Sequence, residues 1–139
     1  MNQRGDYQLY VIPLLAIAAA GGVKNSVLTM NATFEFEWLY STMTAYNSAG
    51  DTAWTQNTRQ LPDILVMITP GDTSSQFMNA ALPITHIFGS GENPYVLPAP
   101  RVLPPLATMS FAATNNDTAI VYDVYLTLHG IKRKWARGG

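Results

Sequence analysis

Apolar and polar residues alternate along much of this chain with a period of two. The clearest case is Ile120, Tyr122, Val124, Leu126 and Leu128 on one side, with Asp123, Tyr125, Thr127 and His129 on the other. Successive side chains of a strand point to opposite faces, so this spacing predicts a half-buried strand of about nine residues closed by Gly130. A second strand places Phe34, Phe36, Trp38 and Tyr40 inward and Glu35 and Glu37 outward. A third carries Met109, Phe111 and Ala113 and ends at Asn115-Asn116-Asp117, a turn that predicts a hairpin into the last strand. Ile64 to Ile68 is a continuous apolar run between Pro-Asp and Pro-Gly-Asp, which predicts a central strand buried on both faces. Shorter candidates are Gln8–Ala18, Val23–Asn31, Gln76–Ala80, Ile84–Phe88 and Tyr95–Leu97.

No segment keeps a 3.6-residue apolar period with capping residues, so helix is not expected. About eight short strands separated by Gly, Pro, Asn and Asp turns predict an all-β, antiparallel β-sandwich of jelly-roll type. Two stretches break the pattern. Tyr46 to Gln60 is polar and carries Trp54, and Gly89 to Pro105 contains five of the nine prolines, so it should be extended and stiff. The expected organisation is one domain over residues 1–131 followed by a basic C-terminal tail, 132–139.

Composition sharpens this. A length of 139 residues suits one domain. Charged residues make up only 12% of the chain against about 25% in an ordinary globular protein, while 47% are apolar. Too few charges are present to clothe a large free surface, which points to neighbours covering part of it. Cysteine is absent, so disulfides, thiolate metal sites and thiol catalysis are excluded. The apolar stretch Leu9 to Ala20 is interrupted by Pro13 and is shorter than the roughly 20 residues of a membrane span. It reads as a first strand followed by a small-residue turn, and a soluble protein is expected.

Candidate chemistry is thin. Glu35 and Glu37 share one strand face roughly 7 Å apart, a separation usable in glycoside hydrolysis but equally that of a solvated strand face. His86 and His129 are the only histidines and lack metal-ligand spacing. No nucleophile elbow surrounds any serine, and Gly89-Ser90-Gly91 has neither a following helix nor a lysine to cradle phosphate. Arg4-Gly5-Asp6 matches a cell-adhesion tripeptide, too short a match to carry weight. The chain is therefore not expected to be an enzyme, and no cofactor, metal or small-molecule substrate is expected.

Charge is distributed unevenly. Lys132, Arg133, Lys134 and Arg137 hold half of the eight basic residues, beside Trp135, while the whole chain has net charge −1. A basic end on an acidic body suits an acidic partner surface, and Trp and Arg are frequent interface anchors. Aromatic and basic residues do not interleave on a strand as in single-strand nucleic-acid binders, so nucleic acid is not an expected partner.

The second half carries a more specific pattern. Pro83 to Gly91 reads Pro-Ile-x-x-Ile-Phe-Gly-x-Gly, and Pro94 to Pro100 reads Pro-Tyr-x-Leu-Pro-x-Pro. Thr114 to Asn116 reads Thr-Asn-Asn, and Leu126 to Arg133 reads Leu-x-Leu-x-Gly-x-Lys-Arg. Over residues 60 to 134 this resembles the jelly-roll cement or decoration proteins of tailed bacteriophage capsids. The resemblance implies a virion protein, made in the host cytoplasm, on the outer surface of the shell. It would bind the major capsid protein and itself, as dimers or trimers. Contact residues expected on this reading are Trp54, Pro94, Tyr95, Pro98, Pro100, Arg101, Lys132, Arg133, Lys134, Trp135 and Arg137. Deleting residues 132–139 should then weaken docking in a salt-dependent way and leave the domain folded. The alternative is a receptor- or carbohydrate-binding module of a tail or fibre, using Trp54, Tyr46 and Tyr125 as stacking platforms.

Overall fold

The structure is a computed structural model that describes residues 5–47, 63–71, 78–90 and 93–134. Alternation decides the elements. Strands form at β1 (Asp6–Ile17), β2 (Gly22–Thr29), β3 (Phe34–Asn47), β4 (Ile64–Pro70), β5 (Leu82–Pro83), β6 (Tyr95–Leu103), β7 (Thr108–Asn115) and β8 (Tyr122–Lys134). They make two antiparallel four-stranded sheets, ordered β1-β8-β3-β6 and β2-β7-β4-β5. The pairing is nested: β1 lies against β8, β2 against β7, β3 against β6 and β4 against β5. The chain is thus an all-β sandwich whose inner faces share one core.

That core takes Ile12, Leu14 and Ile17 from β1, Phe36 and Trp38 from β3, and Tyr122, Val124, Leu126 and Leu128 from β8. Facing them are Ile64, Val66 and Ile68 from β4 and Met109, Phe111 and Ala113 from β7. A buried residue of this size contributes about 1.5–3 kcal/mol over an exposed one, so these inward positions dominate stability. Beside the core, Tyr10 meets Phe36 edge to face at 4.8 Å.

Several expectations change. Asn115-Asn116-Asp117 does not close a hairpin, because β7 and β8 belong to opposite sheets and the connection crosses between them. The buried Asn115 amide makes the crossing possible, donating to the Ile17 and Ile120 carbonyls at 3.0 and 2.8 Å and accepting from the Asp117 N–H at 3.0 Å. Asp117 in turn accepts from the N–H groups of Ala119 and Ile120, and these bonds hold its carboxyl below the usual range.

In β3, Leu39 is an extra residue between the Trp38↔Gly130 and Tyr40↔His129 pairs. This bulge reverses the phase. Phe36 and Trp38 point inward, but Tyr40 turns outward and Ser41 takes the buried position, accepting the Trp38 indole N–H at 3.0 Å. β4 is buried on one face and half-buried on the other, at Leu65 and Met67. Ile84–His86 forms a 3-10 turn in place of a strand. Of the Gln76–Ala80 candidate, the described part, residues 78–80, forms no strand.

The proline-rich stretch becomes β6. It is an edge strand, where a missing N–H is tolerated, and the register skips from Arg101 to Val96 around Pro98 and Pro100. Finally, β8 does not stop at Gly130. It runs on to Lys134, so Lys132, Arg133 and Lys134 are strand residues and the boundary of a free tail cannot fall at 132. Trp54, Trp135 and Arg137 lie outside the described residues, as does most of the Tyr46–Gln60 loop.

Candidate contact surfaces

The pairing brings Arg101 and Lys132–Lys134 towards one end of the sandwich, while Tyr95 lies farther along β3, opposite Ser41. Leu103 of β6 pairs with Phe36, which pairs with Lys132, which pairs with Asp6. The proline-rich and basic segments, separate in the sequence, therefore lie in one sheet on either side of β3. Of the basic charges, that of Arg133 is locally balanced: it forms an ion pair with Glu37, and its register partner on β3 is Glu35. Lys132 stands 5.0 Å over the Phe34 ring. The glutamates read as a carboxylate pair are thus neighbours of arginine. Removing residues 132–139 would delete paired strand residues as well as any tail, so that deletion does not separate docking from the integrity of β8.

Pro94 and Tyr95 are half-buried and Pro98 and Pro100 are exposed on β6, while Arg101 is half-buried opposite Trp38. Pro100, Arg101 and Val102 line a groove of about 640 Å³ with Pro70, Pro104 and Leu106. Leu106 is its unusual member. It has φ +63° and is 63% exposed. It follows Pro104-Pro105 in a turn closed by the Ala107 N–H donating to the Pro104 carbonyl at 3.1 Å. A positive φ at this position normally selects glycine, because a side chain costs about 1–2 kcal/mol there. The turn is pinned from both sides, by Leu106 N–H to the Asn31 carbonyl and Met30 N–H to the Ala107 carbonyl. A bulky apolar side chain is thus held rigidly in solvent at a conformational cost.

A second cluster occupies the outer face of the β1-β8-β3-β6 sheet. His129 stacks on Tyr40 with ring centres 4.4 Å apart and planes 10° apart. Its Nδ1 is 2.6 Å from the Tyr7 hydroxyl and its Nε2 is 2.8 Å from Thr42 Oγ1, while Tyr7 and Tyr40 hydroxyls are 3.0 Å apart. Both ring nitrogens are engaged by neutral hydroxyls, with no carboxylate to orient or charge the ring. The Tyr40 hydrogen bond, with smaller help from desolvation, pushes Tyr7 up to about 12, away from the range useful for proton transfer at neutral pH. This arrangement braces three strands together.

Burial pushes the His129 imidazole below the usual histidine range. The unfolded chain therefore binds this proton first as pH falls. The stability contributed by neutral His129 is complete above about pH 6.5 and lost as pH drops through the folded value. Urea unfolding between pH 7.5 and 5 should show this decline, and His129→Gln should flatten it.

Sequence reasoning missed Leu106, although Pro-Pro-Leu-Ala, with leucine where a tight turn wants glycine, carried a signal. It placed His129 outward but could not foresee Tyr7 and Tyr40 beside it, since both come from other strands. Among the described residues, no three His, Asp or Glu side chains gather as a metal site, and no helix is long and apolar enough to cross a membrane. Comparison with protein-family models, with curated proteins and with solved structures gave no match.

Proposed function

We propose that this chain is a jelly-roll cement or decoration protein of a bacteriophage capsid. It binds the outside of the shell, grips the major capsid protein and associates with itself as dimers or trimers. The nested pairing supports the jelly-roll reading: β1 with β8, β2 with β7, β3 with β6 and β4 with β5 is a long hairpin folded over into two sheets, an architecture used by capsid and lectin domains.

The observation that carries the reading is Leu106. A conformational cost kept at an exposed apolar residue, on a turn stiffened by two prolines and beside a proline-lined groove, is what a pre-organised contact requires. Such contacts lose little entropy on docking, and many copies on a shell multiply weak individual affinities.

Leu106→Gly tests this with opposite signs. Relief of the positive φ should stabilise the isolated protein by about 1 kcal/mol, seen as a higher urea midpoint. Co-sedimentation with shells lacking this protein should fall at least about tenfold in affinity, equivalent to about 1.4 kcal/mol. A variant that is more stable and binds shells as before would remove the turn from the contact.

The competing reading as a glycan-binding module has one observation in its favour. Tyr46 and Tyr125 are both exposed and meet edge to face at 6.1 Å. Glycan-array binding by a protein that ignores capsids would select it.

A further inference from the structure

Among the described residues the sandwich has four outer strand edges, and each carries a feature that opposes strand addition. β1 contains Pro13, which has no N–H to donate, and β6 is interrupted by Pro98 and Pro100. β5 is only two residues long and ends in Pro83. On β2, Lys24 occupies an inward phase opposite buried Ala113 yet remains exposed, so a strand added there would bury an ammonium group. Short edges, prolines and inward charges are the means by which sheets avoid edge-to-edge pairing. Association is left to the faces.

The two outer faces differ in charge. That of the β1-β8-β3-β6 sheet carries Glu35, Glu37, Arg133 and Asp123. Among the described residues, no charged side chain stands on the outward positions of β2, β7 and β4, which are apolar, hydroxyl or amide throughout. Val23 and Val27 are 55% and 63% exposed there, followed across the sheet by Ala112 and Ser110 and then by Leu65 and Met67.

We infer that this charge-free face is the interface between two copies of the chain. A foreign partner that brought a charge onto it would leave that charge desolvated and unpaired, whereas the same face of another copy brings none. Threonine and serine hydroxyls both donate and accept, so a two-fold apposition lets each satisfy its counterpart. The two sheets would stack about 10 Å apart, as stacked sheets do within a sandwich.

Size sets the strength. Three strands of seven or eight residues give a footprint of about 14 Å by 25 Å. That is small against the roughly 800 Å² of accessible surface that each partner buries in a stable complex. The dimer is therefore weak when free in solution and consolidated when copies are arrayed.

The inference rests on the self-association in the cement reading and assigns it a surface. It is tested without shells, so its failure leaves shell binding untouched, and loss of shell binding with the dimer intact would sink the cement reading alone. Sedimentation velocity of the full chain from about 10 µM to about 1 mM should show a reversible dimer with a dissociation constant inside that range. Val27→Lys should weaken it at least tenfold, and Ser110→Arg, at an exposed position of the central strand, should do the same if Val27→Lys folds poorly. Val96→Lys, equally exposed on the other sheet, should leave it unchanged. A monomer throughout the range, a dimer indifferent to both face substitutions, or one broken by Val96→Lys would overturn the inference.

Discussion

Gly130→Ala should destabilise the protein by about 3 kcal/mol, the upper end of the cost of overpacking. A methyl group at this position would lie 2.0 Å from the Glu37 carbonyl oxygen and 2.8 Å from Cε1 and Cζ of Phe36. The obstructing oxygen belongs to the backbone of the paired strand, so no side chain can swing aside. β3 and β8 would have to part where the Leu39 bulge resets their register, loosening Phe36 and Trp38 beneath. Thermal or urea unfolding of Gly130→Ala beside Thr127→Ala, on the outer face of the same strand, measures the effect. A loss below about 1 kcal/mol would show that the two strands can separate at little cost.

Asn115→Leu should be at least as damaging, by about 3–4 kcal/mol, despite similar volume and greater hydrophobicity. The substitution leaves the Ile17 and Ile120 carbonyls and the Asp117 N–H without their partner. Each buried polar group so abandoned costs about 1–3 kcal/mol. The bond to Ile17 joins β1 of one sheet to the β7–β8 crossing from the other, and the other two fix the crossing itself, so the loss falls on the relation between sheets. A lowered urea midpoint with the circular dichroism of a β protein retained is the expected outcome. An unchanged midpoint would mean that water satisfies these groups.

These two residues also mark how far the sequence could be read. Asn115 and Gly130 both looked like punctuation, a hairpin turn and a strand end. In the structure one is a buried tie between sheets and the other a mid-strand glycine forced by a close backbone approach. Their neighbours in the chain were read correctly, and their neighbours in space were invisible. The contact candidates fared similarly. Pro94–Pro105 was legible as stiff and extended because proline fixes its own backbone. Its place as an edge strand, with β3 between it and Lys132, depended on β3 and β8, many residues away in either direction.

What the sequence alone determined was therefore local and periodic: an all-β chain, which residues of β7 and β8 face inward, and where many of the turns fall. Period-two alternation and turn chemistry act over two to four residues, and no distant partner is needed to express them. The tertiary structure alone decided which strands share a sheet, how the Leu39 bulge reverses β3, and that Lys132–Lys134 extend β8. It also decided that, among the described residues, the outward positions of β2, β7 and β4 carry no charge. Each of these follows from pairing between segments as distant as β1 and β8, where register is set by a shared core rather than by neighbouring residues.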